Sequence, residues 1–148
     1  MEIIDFDPSV GSEAIEFFQR VIGVKLPKPY VDFLLRYNGG YPSPDTFKIA
    51  DWNNASSVHA FYKINSKQSY DDLLECHHTF SERIPSSFLT IASDPGGNQI
   101  CLAVSGSDYG KVYYWDHENE ADNGEIADMG NMALLADNFN DFMAGLTD

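Results

Sequence analysis

The side chains best able to do chemistry in this chain fall in a few short stretches. Glu75-Cys76-His77-His78 gathers a carboxylate, a thiol and two imidazoles. On a helix, neighbouring side chains diverge by roughly 100°, so these residues do not converge on one ion. Metal-binding pairs on helices sit at i and i+3 or i+4. Glu75 and His78 meet that spacing, and a third ligand would have to arrive from His59 or His117 through the fold. A partly buried His77 beside an exposed His78 is the plainer expectation. Asp116-His117-Glu118 places a carboxylate on either side of an imidazole, the raw material of acid–base catalysis. On a strand, Asp116 and Glu118 share a face and His117 takes the other. A glycosidase-like carboxylate pair there would lack a facing element, and polar residues closing a strand explain the stretch as well.

Asp116, Glu118, Glu120 and Asp122 also suggest a calcium loop. The EF-hand template needs Gly at its sixth position and Glu at its twelfth, where this chain has Ala121 and Ala127. Gly96-Gly97-Asn98 has the look of a phosphate cradle. It lacks the Gly-Lys-Ser/Thr ending and the following helix, and Asp94 would repel a phosphate. No Gly-x-Ser-x-Gly elbow is present. The sequence therefore assigns no catalytic residue, no metal ligand and no cofactor.

The elements that would position these residues are organised around 89–118. A short apolar run, Leu89-Thr90-Ile91-Ala92, leads into the turn Asp94-Pro95-Gly96-Gly97-Asn98. Residues 99–104 then alternate, with Ile100, Leu102 and Val104 on one face and Gln99, Cys101 and Ala103 on the other, the period of a strand. A second turn rich in Ser, Gly and Asp precedes 111–116, which carries Val112, Tyr113, Tyr114 and Trp115. The result is a three-strand meander.

Around it, 12–22 reads as a helix capped by Ser12, with Ile15, Phe18 and Ile22 inward and Gly23 at its stop. Pro29 opens a second helix whose face is Tyr30, Phe33, Leu34 and Tyr37, ended by Asn38-Gly39-Gly40. Residues 41–44 read as a stiff turn, 47–52 and 57–64 as strands with a loop at 53–56, and 70–80 as a helix capped by Ser69. A short strand is expected at 125–129, and a last helix at 131–146 with Leu135, Phe139, Phe142, Met143 and Leu146 inward. This order predicts an α+β fold, a single mostly antiparallel sheet packed by about four helices, with 1–148 as one domain.

The formal net charge is −14, and it is unevenly spread: beyond Lys111 the chain has acids and no Lys or Arg. Such a field repels nucleic acid and anionic membranes and attracts basic partners, although solubility alone also accounts for it. Cys76 and Cys101 suggest no disulfide framework. The N-terminal stretch lacks a basic segment followed by a long apolar run, and no apolar run approaches a membrane span, so the cytoplasm is the expected compartment.

Two stretches carry a family resemblance. The Gly-Gly-Asn turn leading into Ile100-Cys101-Leu102, followed by Gly110-Lys111-Val112-Tyr113-Tyr114-Trp115-Asp116-His117-Glu118, resembles the central motif of the SUKH superfamily. Upstream, Leu26-Pro27-x-Pro29-Tyr30-x-x-Phe33-Leu34 followed by Asn38-Gly39-Gly40 is similar to that family's helix and its terminal turn. The superfamily includes bacterial immunity proteins and the fungal cell-wall-assembly, or glucan-synthesis, regulators. The resemblance spans roughly 21–146 and implies a non-catalytic protein-binding domain. The leading expectation is an immunity protein that neutralises a basic toxin domain, a nuclease being one candidate. A regulatory adaptor of the cell-wall type is the alternative. A third is a small enzyme or ligand-binding domain with a pocket around His77, Asp94 or His117. The expected contact residues are Asp116, Glu118, Glu120 and Asp122, with Trp52 and Trp115 as anchors, although each tryptophan reads more readily as core than as interface.

Overall fold

The structure is a computed structural model that describes residues 1–8 and 10–148. In chain order its elements are β1 (Glu2–Ile4), α1 (Ser12–Ile22), α2 (Lys28–Arg36), β2 (Tyr41–Ser43), β3 (Thr46–Ile49), β4 (Asn54–Ser57), β5 (Ala60–Phe61), α3 (Leu73–Phe80), β6 (Phe88–Ser93), β7 (Gln99–Ala103), β8 (Val112–Trp115), β9 (Met132–Ala136) and α4 (Phe139–Ala144). β5 to β9 form one antiparallel sheet in sequence order, and β1–β2 and β3–β4 are separate two-stranded pairs. The fold is α+β, as the sequence predicts.

The alternation in β7 sorts two cores. Ile100, Leu102 and Val104 join the main core, to which α1 contributes Ile15 and Phe18, α2 contributes Tyr30, Phe33 and Leu34, and α4 contributes Phe139 and Phe142. Cys101 and Ala103 point into a smaller core with Ile84, Phe88, Trp115 and Met132. The meander is thus covered on both faces, and every residue of β7 is buried.

Asn38-Gly39-Gly40 does more than stop α2. The helix already ends at Arg36, with Tyr37 as its C-cap. Asn38 is buried, and its side-chain amide brackets the backbone of Ile64, donating to Ile64 O at 3.0 Å and accepting from Ile64 N at 2.9 Å. Gly40 has φ +109°, and a Cβ there would lie 2.7 Å from both Ile3 Cγ2 and Ile4 O. Reciprocal backbone hydrogen bonds between Gly40 and Phe61 tie the β1–β2 pair to β5.

Local expectations differ from the structure where tertiary pairing overrides them. Residues 41–43 are a strand because they pair with β1. The run 47–52 breaks after Ile49 into a 3-10 turn, Ala50–Trp52, and only Asn53 turns before β4 begins. Of the strand expected over 57–64, Ser57 closes β4 and only Ala60–Phe61 form β5. Gly11, and not Ser12, occupies the N-cap of α1. α3 starts at Leu73, capped by Asp72, whose carboxylate accepts from Glu75 N at 3.0 Å; Ser69–Asp71 is a separate 3-10 turn. The strand expected at 125–129 is absent among the described residues. The helix expected over 131–146 splits. Met132–Ala136 pairs with β8 as the fifth strand, and α4 starts only after Asn138, whose side chain accepts from Asp141 N at 2.8 Å. Met132-Ala133-Leu134-Leu135-Ala136 has ordinary helix propensity, and the sheet edge captures it.

Candidate partner-binding site

An open groove of about 950 Å³ runs between residues 81–87, which follow α3, and a second wall made by Glu118 and residues 120–127. Five carboxylates line it, those of Glu82, Glu118, Glu120, Asp122 and Glu125, against one guanidinium, Arg83. The fold therefore brings together three of the four expected acidic contacts and adds two.

Arg83 organises this groove. Its guanidinium donates to Glu120 through Nε at 3.0 Å and Nη2 at 2.8 Å, a forked pair across 37 residues of sequence. The same group stacks 4.6 Å from the ring of Phe80 and 5.5 Å from that of Trp115. The hydrogen bonds from Arg83 hold the Glu120 carboxyl below its usual range, against a smaller opposing effect of burial. Glu120 is thereby engaged within the chain, while Glu118, Asp122 and Glu125 remain exposed.

Asp116 does not line the groove. β8 ends at Trp115, so strand alternation no longer applies beyond it, and His117–Asn119 forms a 3-10 turn. Asp116 caps that turn: one carboxylate oxygen accepts from Glu118 N at 3.0 Å, the other from Asn119 Nδ2 at 2.6 Å. Its backbone carbonyl accepts from the Asn131 side chain at 2.8 Å.

The two tryptophans separate. Trp115 is 0% exposed and belongs to the smaller core, so it has no surface for a partner and its expected role as an anchor is corrected. Trp52 is 39% exposed and lies edge-on to Tyr114, ring centroids 5.9 Å apart.

Beneath Tyr114 lies a polar hub that the turn Asp94–Asn98 builds. Asp94 is only 5% exposed. Its carboxylate accepts from Tyr114 OH at 2.6 Å, Ser56 Oγ at 2.8 Å, Asn98 Nδ2 at 3.1 Å and the backbone N–H groups of Gly96 at 2.9 Å and Asn98 at 2.8 Å. Burial pushes this carboxyl up, but the hydrogen bonds from Tyr114, Asn98 and Ser56 outweigh it and hold it below the usual range. Asn98 Oδ1 in turn accepts from His117 N at 3.0 Å, and His117 Nε2 lies 2.9 Å from Gly96 O. The Gly-Gly-Asn turn is thus a frame that joins β4, β8 and the start of the acidic segment.

His77 is half-buried, and burial together with its neighbour His78 lowers its pKa. Among the described residues no three His, Cys, Asp or Glu side chains gather closely enough to hold a metal ion. The groove includes none of His77, Asp94 or His117.

Sequence reasoning missed Arg83, because a contact across 37 residues leaves no local pattern. The role of Asp94 was more accessible. An Asp that precedes Gly96 by two and Asn98 by four has the spacing of a side chain that closes its own turn.

No helix is long and apolar enough to cross a membrane among the described residues. In comparisons with known proteins, the chain is 27% identical to the SPbeta prophage-derived uncharacterized protein YokK of Bacillus subtilis (strain 168), over 95% of this chain and 77% of that protein. The family model described as SMI1 / KNR4 family (SUKH-1) matches residues 10–145, which contain both glycine turns, the meander and the acidic groove, and the chain belongs to that family.

Proposed function

We propose that this chain is a non-catalytic immunity protein that binds a cognate toxin domain through the acidic groove. Family membership supports an immunity-protein or SMI1-type domain. The observation that carries the finer reading is the groove itself, with five carboxylates against one guanidinium that is already committed to Glu120. A basic face, such as the phosphate-binding groove of a nuclease, complements it. Exposed Glu118, Asp122 and Glu125 would steer association and confer salt dependence. Trp52, half-exposed over Tyr114, lies outside the groove and would be a separate aromatic contact. The chain would act in the cytoplasm as a single domain.

The test is capture of the partner from the native organism at low and high salt, with a Glu118→Lys/Asp122→Lys/Glu125→Lys variant alongside. One basic toxin-like protein, retained by the natural chain at low salt, released as salt rises and not held by the variant, supports the reading. Capture that ignores both salt and the three substitutions overturns the acidic groove as the contact.

A further inference from the structure

A second hollow, of about 520 Å³, lies between α1, α2 and the turn that joins β7 to β8. Ile15, Leu26 and Val31 line it, Tyr109 forms a wall, and Lys25 and Lys28 stand at its rim with Glu16 as the opposing charge. Tyr109 is tethered there, its hydroxyl donating to Lys25 O at 2.7 Å. An adjoining hollow shares Glu16 and Lys25 and adds Arg20. Lys28 pairs with Asp32 at 2.9 Å, but both side chains are largely exposed, and such a pair yields readily to a competing carboxylate. In a chain of net charge −14, this face offers an apolar socket bordered by three of the nine cations.

The same chain carries a segment of matching chemistry. In Glu125-Ile126-Ala127-Asp128 the isoleucine is 92% exposed, between two carboxylates. We propose that Ile126 of one copy seats in the Ile15–Leu26–Val31 socket of a second copy, with Glu125 set against Lys25, Lys28 and Arg20.

Socket and loop lie over opposite faces of the five-stranded sheet. The socket shares Ile15 and Leu26 with the main core, whereas the loop's groove shares Ile84 with the smaller core. A copy that inserts its loop leaves its own socket facing away, so the contact is head-to-tail and extends into a chain or ring instead of closing as a two-fold dimer. The net charge opposes approach, but a Debye length of about 8 Å at physiological ionic strength screens that repulsion more than the contact pairs. One aliphatic anchor with exposed ion pairs makes a weak contact, populated at high protein concentration. The inserting loop also forms a wall of the acidic groove, so self-association and toxin binding would compete for Glu125; the assembly is tested without a partner, so its failure leaves the proposed function untouched.

Sedimentation equilibrium of the full chain at physiological ionic strength reads the assembly directly. The weight-average mass is expected to rise with concentration from the 16.6 kDa of one copy to beyond that of two. Ile126→Asp and Lys25→Glu/Lys28→Glu should each weaken association about 10-fold or more, with unchanged circular dichroism. Mixing the two variants should restore association that stops at a pair, because one supplies the intact socket and the other the intact loop. A natural chain that stays monomeric at every concentration overturns the proposal. So does a plateau at the dimer, an Ile126→Asp variant that associates as the natural chain does, or folded variants that fail to complement.

Discussion

Tyr114 donates a 2.6 Å hydrogen bond to the buried carboxylate of Asp94, twenty residues earlier in the chain. This bond fastens β8 to the Gly-Gly-Asn turn, and through Asn98 and His117 it fixes where the acidic segment leaves the sheet. Removing the carboxylate strands five donors. Asp94→Ala should therefore lower unfolding free energy by about 2–4 kcal/mol, measured by urea denaturation. A loss within a few tenths of that of a surface substitution would show that the hub contributes little.

The same residue sets a pH dependence. The folded chain holds the Asp94 proton more weakly than the unfolded chain does, because the donors outweigh burial. Its contribution is complete above the ordinary Asp value of about 4 and disappears as pH falls through the lower folded-state value. The natural chain should lose stability on acidification through that window. Asp94→Asn, less stable at neutral pH, should lose less over the same range. Parallel curves for the two would exclude Asp94 as a source of the acid sensitivity.

Gly40→Ala should destabilise the chain by more than about 2 kcal/mol, through both positive φ and collision with Ile3 and the Ile4 carbonyl. Gly124→Ala is the control. Gly124 also has φ above zero, but a Cβ there meets nothing within 4 Å. If thermal unfolding shifts both variants equally, backbone conformation and not close approach governs Gly40.

Arg83→Gln should free the 120–127 wall while leaving the fold intact, because the forked pair with Glu120 and the stacking on Phe80 and Trp115 are lost together. The expected cost is about 1–2 kcal/mol. Trp115 fluorescence should change, and amide exchange should accelerate in the wall and not in β7. Uniform acceleration across the sheet would mean that Arg83 supports the core and not the groove.

Both thiols should be slow toward a disulfide reagent in the native state. Burial raises the Cys76 thiol to about 11 and pushes Cys101, which is wholly enclosed, higher still. Reaction should become fast only in denaturant. Rapid modification of Cys101 at neutral pH would show that the smaller core opens readily.

Periodicity and turn chemistry determined much of this protein from sequence alone. The two-residue alternation of β7 sorted its own residues between the two faces of the sheet, since side-chain direction on a strand follows from backbone geometry. The faces of α1 and α2 were legible for the same reason, and so was the concentration of acid beyond Lys111. Tertiary structure decided what depends on partners distant in the chain. Met132–Ala136 became a strand because β8 left an edge to pair with, and Tyr41–Ser43 because β1 lay alongside. Trp115 went inside while Trp52 stayed half-exposed, a choice no local pattern encodes. Asp116 was spent on its own turn and Glu120 on Arg83, so the carboxylates left for a partner are a subset that only the folded chain selects. Hydrogen bonds between residues twenty or 37 positions apart have no signature in composition or spacing, because their geometry exists only after the sheet has formed.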